Sequence, residues 1–293
     1  MYDLKLLPRR STFNHSKYFL LLFSGLLLLH ISSLIEVMAQ GDLRIFPKRV
    51  VFEGSKRYQE LNLANTGKDT ARYFISLVEN RMSEDGAVKK ITQPDSGQRF
   101  ASKFIRLFPR NVIIPPHESQ VVKIQLTKTN QLISGEYRSH LHFRAEPDKK
   151  PLGDKDSTMD TTSVSISLVP IFGITIPVII RVGESNTKVH LSNLLFEMVN
   201  DTTPTLKIVF NRSGNMSAYG NIYVDYISQE GDVTRVGDVQ GVAVYTPNLI
   251  RHSSIVLKKP AGISYHTGKL HVMYTAQPED NEAIIAEAEL RLR

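Results

Sequence analysis

The chain has 293 residues and no cysteine, which allows one large domain or two of ordinary size and excludes disulfides, cysteine-based zinc sites and cysteine nucleophiles. The formal net charge is +7 at pH 7, too mild over this length to mark a nucleic-acid-binding protein.

Residues 1–39 read as a signal peptide. Lys5, Arg9, Arg10 and Lys17 precede an apolar run from Tyr18 to Leu29, and Val37-Met38-Ala39 places cleavage after Ala39. The run falls short of the roughly 20 residues that a membrane span needs. Its removal takes away four Lys/Arg and two Asp/Glu, leaving a net charge of +5 on a protein expected to be soluble and outside the cytoplasm. From there the apolar segments alternate with period 2, or are short runs of Val, Ile, Tyr and Phe between Gly, Pro, Asn and Asp, which predicts strands. The predicted strands of the first half are 43–52, 58–64, 71–79, 104–108, 111–114, 119–127 and 136–145. Turns fall at Asn65-Thr66-Gly67, Glu84-Asp85-Gly86, Pro115-Pro116 and Ser134-Gly135.

After a polar loop at 146–160 comes TTSVSISLVPIFGITIPVIIR, residues 161–181, far longer than an ordinary strand of about 5 or 6 residues. Pro170 divides it. In the first part Val164, Ile166 and Leu168 alternate with Ser163, Ser165 and Ser167; the second part, Phe172 to Ile180, is more uniformly apolar. A polar break at 181–186 precedes strands predicted at 188–198, 205–212, 220–228, 241–245, 251–257, 269–276 and 284–292, the last with Ala and Glu content that would also suit a helix. About seven short strands in each half predict an all-β fold of two tandem β-sandwiches, residues 40–182 and 183–293.

Catalytic signatures are missing: no G-x-x-x-x-G-K-[ST], no G-x-S-x-G, no H-E-x-x-H. His140 and His142 share one face of a predicted strand without a third metal ligand, and a solvent-facing position accounts for them. Asp148, Asp154, Asp156 and Asp160 lack calcium-loop spacing. The expectation is a protein that is not an enzyme and carries no cofactor and no metal.

KRVVFEGSKRYQELNLANTG at 48–67, FIRLFPRNVIIPPHESQVVKIQL at 104–126 and GEYRSHLHF at 135–143 resemble, in order, the opening strands, the Pro-rich turn with its following strand, and the next strand of the PapD-like periplasmic pilus chaperones. The resemblance is clear over 42–183 and only architectural beyond. It implies two immunoglobulin-like domains in a boomerang with a working cleft. It also implies that the first part of the long strand is lent to a pilin-like or surface subunit lacking its own last strand. Val164, Ile166 and Leu168 would then be the donated side chains; packing into the chain's own core is the other reading of the same alternation.

Arg49 aligns with the cleft arginine that grips the subunit's terminal carboxylate, which suits a planar fork of donors. Arg181 aligns with the hinge arginine, with Glu136 as its acidic partner. The family's second carboxylate anchor, a lysine four residues before that arginine, is absent: Pro177 stands there and no lysine occurs between Thr161 and Arg181. Implied partners are pilus subunits, an outer-membrane usher and a second copy capping the free strand, with no nucleic acid. A structural or adhesive two-sandwich protein of the cell surface is the alternative.

Overall fold

The structure, a computed structural model, is described for residues 43–146, 173–277 and 283–293. Among the described residues seventeen strands form four sheets and there is no α-helix. The fold is all-β, with two separate apolar cores.

In the first sandwich, β1 (Leu43–Phe46), β3 (Tyr58–Asn65), β8 (Ser119–Leu126) and β6 (Ile105–Phe108) make one sheet in the order β1-β3-β8-β6. The facing sheet runs β2-β10-β9-β4-β5, from β2 (Val50–Phe52), β10 (Gly173–Val182), β9 (Gly135–Ala145), β4 (Ala71–Met82) and β5 (Val88–Ile91), with β7 (Asn111–Ile114) also pairing β4. Leu61, Leu63, Ile75, Ile124, Leu141 and Phe143, all fully buried, interdigitate between the sheets. Emptying one such site, as in Phe143→Ala, removes about 3–5 kcal/mol.

The predicted strand at 43–52 is two strands on different sheets. β1 pairs antiparallel with β3, while β2 pairs parallel with β10. Pro47 between them has no N–H to continue a ladder, so the chain leaves one sheet there and joins the other. The hairpin arm β5 was not legible either: its sequence VKKI exposes three of four residues and carries little apolar signal.

The second sandwich packs β11 (Lys188–Val199), β12 (Thr203–Ser213) and β15 (Ile250–Val256) against β14 (Val233–Val244), β13 (Ala218–Ile227), β16 (Lys269–Thr275) and β17 (Ile284–Arg291). Leu206, Phe210, Ile222, Val224, Val272 and Tyr274 fill its core. The Ala- and Glu-rich last segment is a strand, paired along its length with β16; the apolar face of β16 offers it a partner, and tertiary pairing overrides helix propensity.

Candidate functional site

β9 and β10 are the centre of the site, because both of their faces are covered. On one face of β9, Tyr137, Leu141, Phe143 and Ala145 enter the first core; on one face of β10, Ile174, Ile176, Val178 and Ile180 do the same. Period-2 alternation turns the residues between them the other way: Glu136, Arg138 and His140 on β9, and Pro177, Ile179 and Arg181 on β10. That second face looks into a cleft closed from the other side by Tyr219 of β13 and by Tyr245, which follows β14. Ile179 packs there with Met82, Ala243 and Tyr245.

One end of the cleft is held by Glu136. Its side chain is 0% exposed, and its carboxylate accepts from Arg181 Nε at 3.3 Å, the Ser217 backbone N–H at 2.9 Å, the Ser217 hydroxyl, and the Thr246 hydroxyl at 3.1 Å. Arg181 also donates from Nη2 to the Ser217 carbonyl at 2.9 Å. Arg181 and Glu136, matched across β10 and β9, are therefore brought together and tied to two loops of the second sandwich. Arg212, 4% exposed, shapes those loops by donating to the carbonyls of Gly214, Met216 and Asn248 at 2.8–2.9 Å. The tip of the β4–β5 hairpin adds a second brace: Asn248 Nδ2 donates to the Met82 carbonyl at 2.8 Å, and the His252 N–H to the Glu84 carbonyl at 2.6 Å.

Arg49 lies one residue before β2. Its guanidinium stacks on the Tyr219 ring, 4.3 Å from the centroid. Nε and Nη2 are buried and have no hydrogen-bond partner among the described residues. These two donors lie along one edge of the guanidinium, the pair that meets both oxygens of a carboxylate side-on. Burial lowers the Arg49 pKa from its ordinary value, as it does for Arg138.

His140 corrects the sequence reading: it does not face solvent but is 4% exposed, with Nε2 3.4 Å from Arg138 Nη1. Burial first, and the Arg138 charge second, push its pKa down to about 3, so it is neutral at pH 7. The signal missed was that a polar row on one face of a strand can be covered by other polar and aromatic groups. Among the described residues no group of three or more His, Asp or Glu is placed to hold a metal ion.

The expected donor residues Val164, Ile166 and Leu168 lie outside the described residues. From Gly173 on the chain is described: β10 pairs with β9 over Gly173–Val182, but with β2 only over Val178–Ile180. Its other edge along Gly173–Pro177 has no strand partner among the described residues.

No protein-family model matches the chain, and no curated protein matches it. Solved structures of chaperones align over most of its length. The YadV chaperone is 13% identical, with 86% of this chain and 100% of that one covered and a TM-score of 0.41. The Pseudomonas aeruginosa CupB2 chaperone is 14% identical, covering 84% and 97%, with a TM-score of 0.38. CsuC with the tip subunit CsuE, from the archaic Csu pili of Acinetobacter baumannii, is 11% identical, covering 86% and 98%, with a TM-score of 0.40.

Proposed function

We propose that this chain is a divergent PapD-like periplasmic chaperone. It holds a pilin-like or other surface subunit at the cleft by strand pairing along the β10 edge, without nucleotide. The observation that carries the reading is the Nε/Nη2 fork of Arg49, without an acceptor among the described residues and set at the end of a strand edge that has no strand partner among them. β2 runs parallel to β10 and begins at Val50, opposite Val178. A guest strand laid along Gly173–Pro177 in that direction is collinear with β2 and ends where Arg49 stands. Its terminal carboxylate would meet the free fork.

Main-chain hydrogen bonds to the edge supply affinity in such a pairing, and alternate side chains supply specificity. Val164, Ile166 and Leu168 would extend it upstream as the donated row, each worth about 1.5–3 kcal/mol of apolar burial before ordering costs. Glu136 and Arg181 act as the hinge that keeps the second sandwich over the cleft, and the leader delivers the protein to the periplasm.

The test is recovery of tagged protein from a periplasmic extract of its host. The wild type should carry a pilin-like subunit, identified by mass spectrometry, near equal stoichiometry. Arg49→Ala and Ile166→Asp should each lose it without lowering the melting temperature by more than a few degrees. Undiminished capture by both variants refutes strand donation from this surface.

A further inference from the structure

The strand lacks the lysine that would be the second cation at Pro177, yet the cleft does not lack a second cation. Arg138 sits on β9 beside Ile179, and His140 sits directly opposite Pro177. By the alternation of β9 and β10, both side chains share the cleft face with Arg49. Arg138 is 2% exposed and stacks on Tyr245 at 4.3 Å, as Arg49 stacks on Tyr219. Its Nη2 donates to the Thr246 carbonyl at 3.2 Å, but Nε is buried without a partner. With Nε2 of His140 accepting from Arg138 Nη1, the hydrogen sits on Nδ1, and Nδ1 too is buried and unpartnered.

The cleft thus holds four buried donors without an acceptor among the described residues: Arg49 Nε and Nη2, Arg138 Nε and His140 Nδ1. The nearby acids do not fill them. Glu136 is saturated by Arg181, Ser217 and Thr246. Glu79 accepts from the Ser139 hydroxyl at 2.7 Å, and Ser139 points to the opposite face of β9. Two guanidinium charges on one face keep free donors, and the acids that act on them, Glu136 on both and Glu79 on Arg138, are bonded to other groups, so an anion would complete the site.

We infer that Arg138, oriented by His140, is the second cation of the Arg49 site, and that the two arginines together take one carboxylate beneath Tyr219 and Tyr245. This rests on the chaperone reading, in which the carboxylate is a polypeptide C-terminus. It replaces the strand lysine with a group from the neighbouring strand. A guanidinium on β9 approaches from across β10, so the carboxylate lies deeper under the second sandwich than a residue at Pro177 would hold it.

Titration calorimetry on the purified protein tests this with an N-acetylated Val-Thr-Val-Thr-Val-Tyr hexapeptide carrying a free carboxylate, against its C-terminal amide. The acid should bind at least about tenfold tighter than the amide, the value of one charge-assisted hydrogen bond. Arg138→Gln and Arg49→Gln should each erase that preference, so that acid and amide bind each variant equally. Arg49→Met should keep or raise the melting temperature, since it removes a buried charge with two unpartnered donors; a merely bracing arginine would lower it.

Retained acid preference in Arg138→Gln, with loss in Arg49→Gln, removes Arg138 from the site and leaves the proposed function standing. Equal binding of acid and amide by the wild type overturns the anion site altogether, while strand donation is still judged by Ile166→Asp. Full displacement of the acid by acetate at the peptide's own dissociation constant would overturn the polypeptide source in favour of a small free carboxylate.

Discussion

Replacing Glu136 by glutamine perturbs the junction of the two sandwiches with almost no change of shape. The carboxylate has four donors around it, three of them on Ser217 and Thr246 of the second sandwich and one on Arg181. Glutamine keeps one acceptor oxygen and turns an NH2 group toward the remaining donors. Removing one partner of a buried ion pair costs about 3–5 kcal/mol. Here Arg181 retains its bond to the Ser217 carbonyl and 18% of its side-chain exposure, which offsets part of that cost. The expected loss is about 2–4 kcal/mol.

At about 2–4 °C per kcal/mol for a protein of this size, Glu136→Gln should lower the melting temperature by roughly 4–16 °C. Because the lost bonds join two cores rather than filling either, scanning calorimetry should also resolve the variant's transition into two, one for each sandwich. Glu136→Asp, which keeps the charge but shortens the reach, should fall between. A shift below about 2 °C with one unsplit transition would refute the view that Glu136 couples the sandwiches.

Arg212→Met removes a buried guanidinium that serves the carbonyls of Gly214, Met216 and Asn248 and should cost about 2–4 kcal/mol in urea unfolding, since those carbonyls are left short of donors. Gly214 has a φ of +91° and a Cβ there would stand 2.6 Å from the Asn186 carbonyl oxygen, so Gly214→Ala should destabilise the second sandwich by about 1–3 kcal/mol, read from the same unfolding curves. His140 is held neutral, with its pKa pushed down to about 3 from 6.5. The unfolded chain therefore binds more protons between these values, and the stability contribution is full above about pH 6.5 and declines as pH falls toward 3. At pH 5 that one group should cost about 2 kcal/mol relative to pH 7.5, and His140→Gln should remove this part of the pH dependence.

The long alternating stretch shows what was legible in the sequence and why. Ile174, Ile176, Val178 and Ile180 do enter the first core, because a period of two can place them only on one face. The same pattern said nothing about what covers the other face. His140 looks, by alternation, like a solvent-facing residue, and it and Arg138 are buried because a second sandwich roughly 100 residues downstream in the chain brings Tyr245 and Thr246 against Arg138. Arg49 was legible only through its neighbours in a resembling motif; on charge alone it is one of 36 Lys and Arg, which selects nothing. The split of 43–52 into two strands turns on Pro47, a residue whose missing N–H was visible but whose consequence depends on which sheet receives the chain next.

Within one cleft, then, the acid is over-supplied with donors while two cations each keep a buried donor that has no acceptor among the described residues. Stacking on tyrosine does not close that account: a cation over an aromatic face contributes about 0.5–2 kcal/mol, whereas the effective penalty for desolvating an ion is several kcal/mol. If Arg49 and Arg138 served only to join the sandwiches, an apolar side chain of equal length would do so better, since Ile179, Met82, Ala243 and Tyr245 already supply an apolar junction beside them. A fold that keeps both charges is less stable empty than it could be, and it recovers that free energy when an anion arrives. The two properties should consequently move in opposite directions: Arg49→Met should keep or raise the melting temperature while weakening the binding of the carboxylate-bearing peptide. Stability and binding falling together would mean that Arg49 is an ordinary brace.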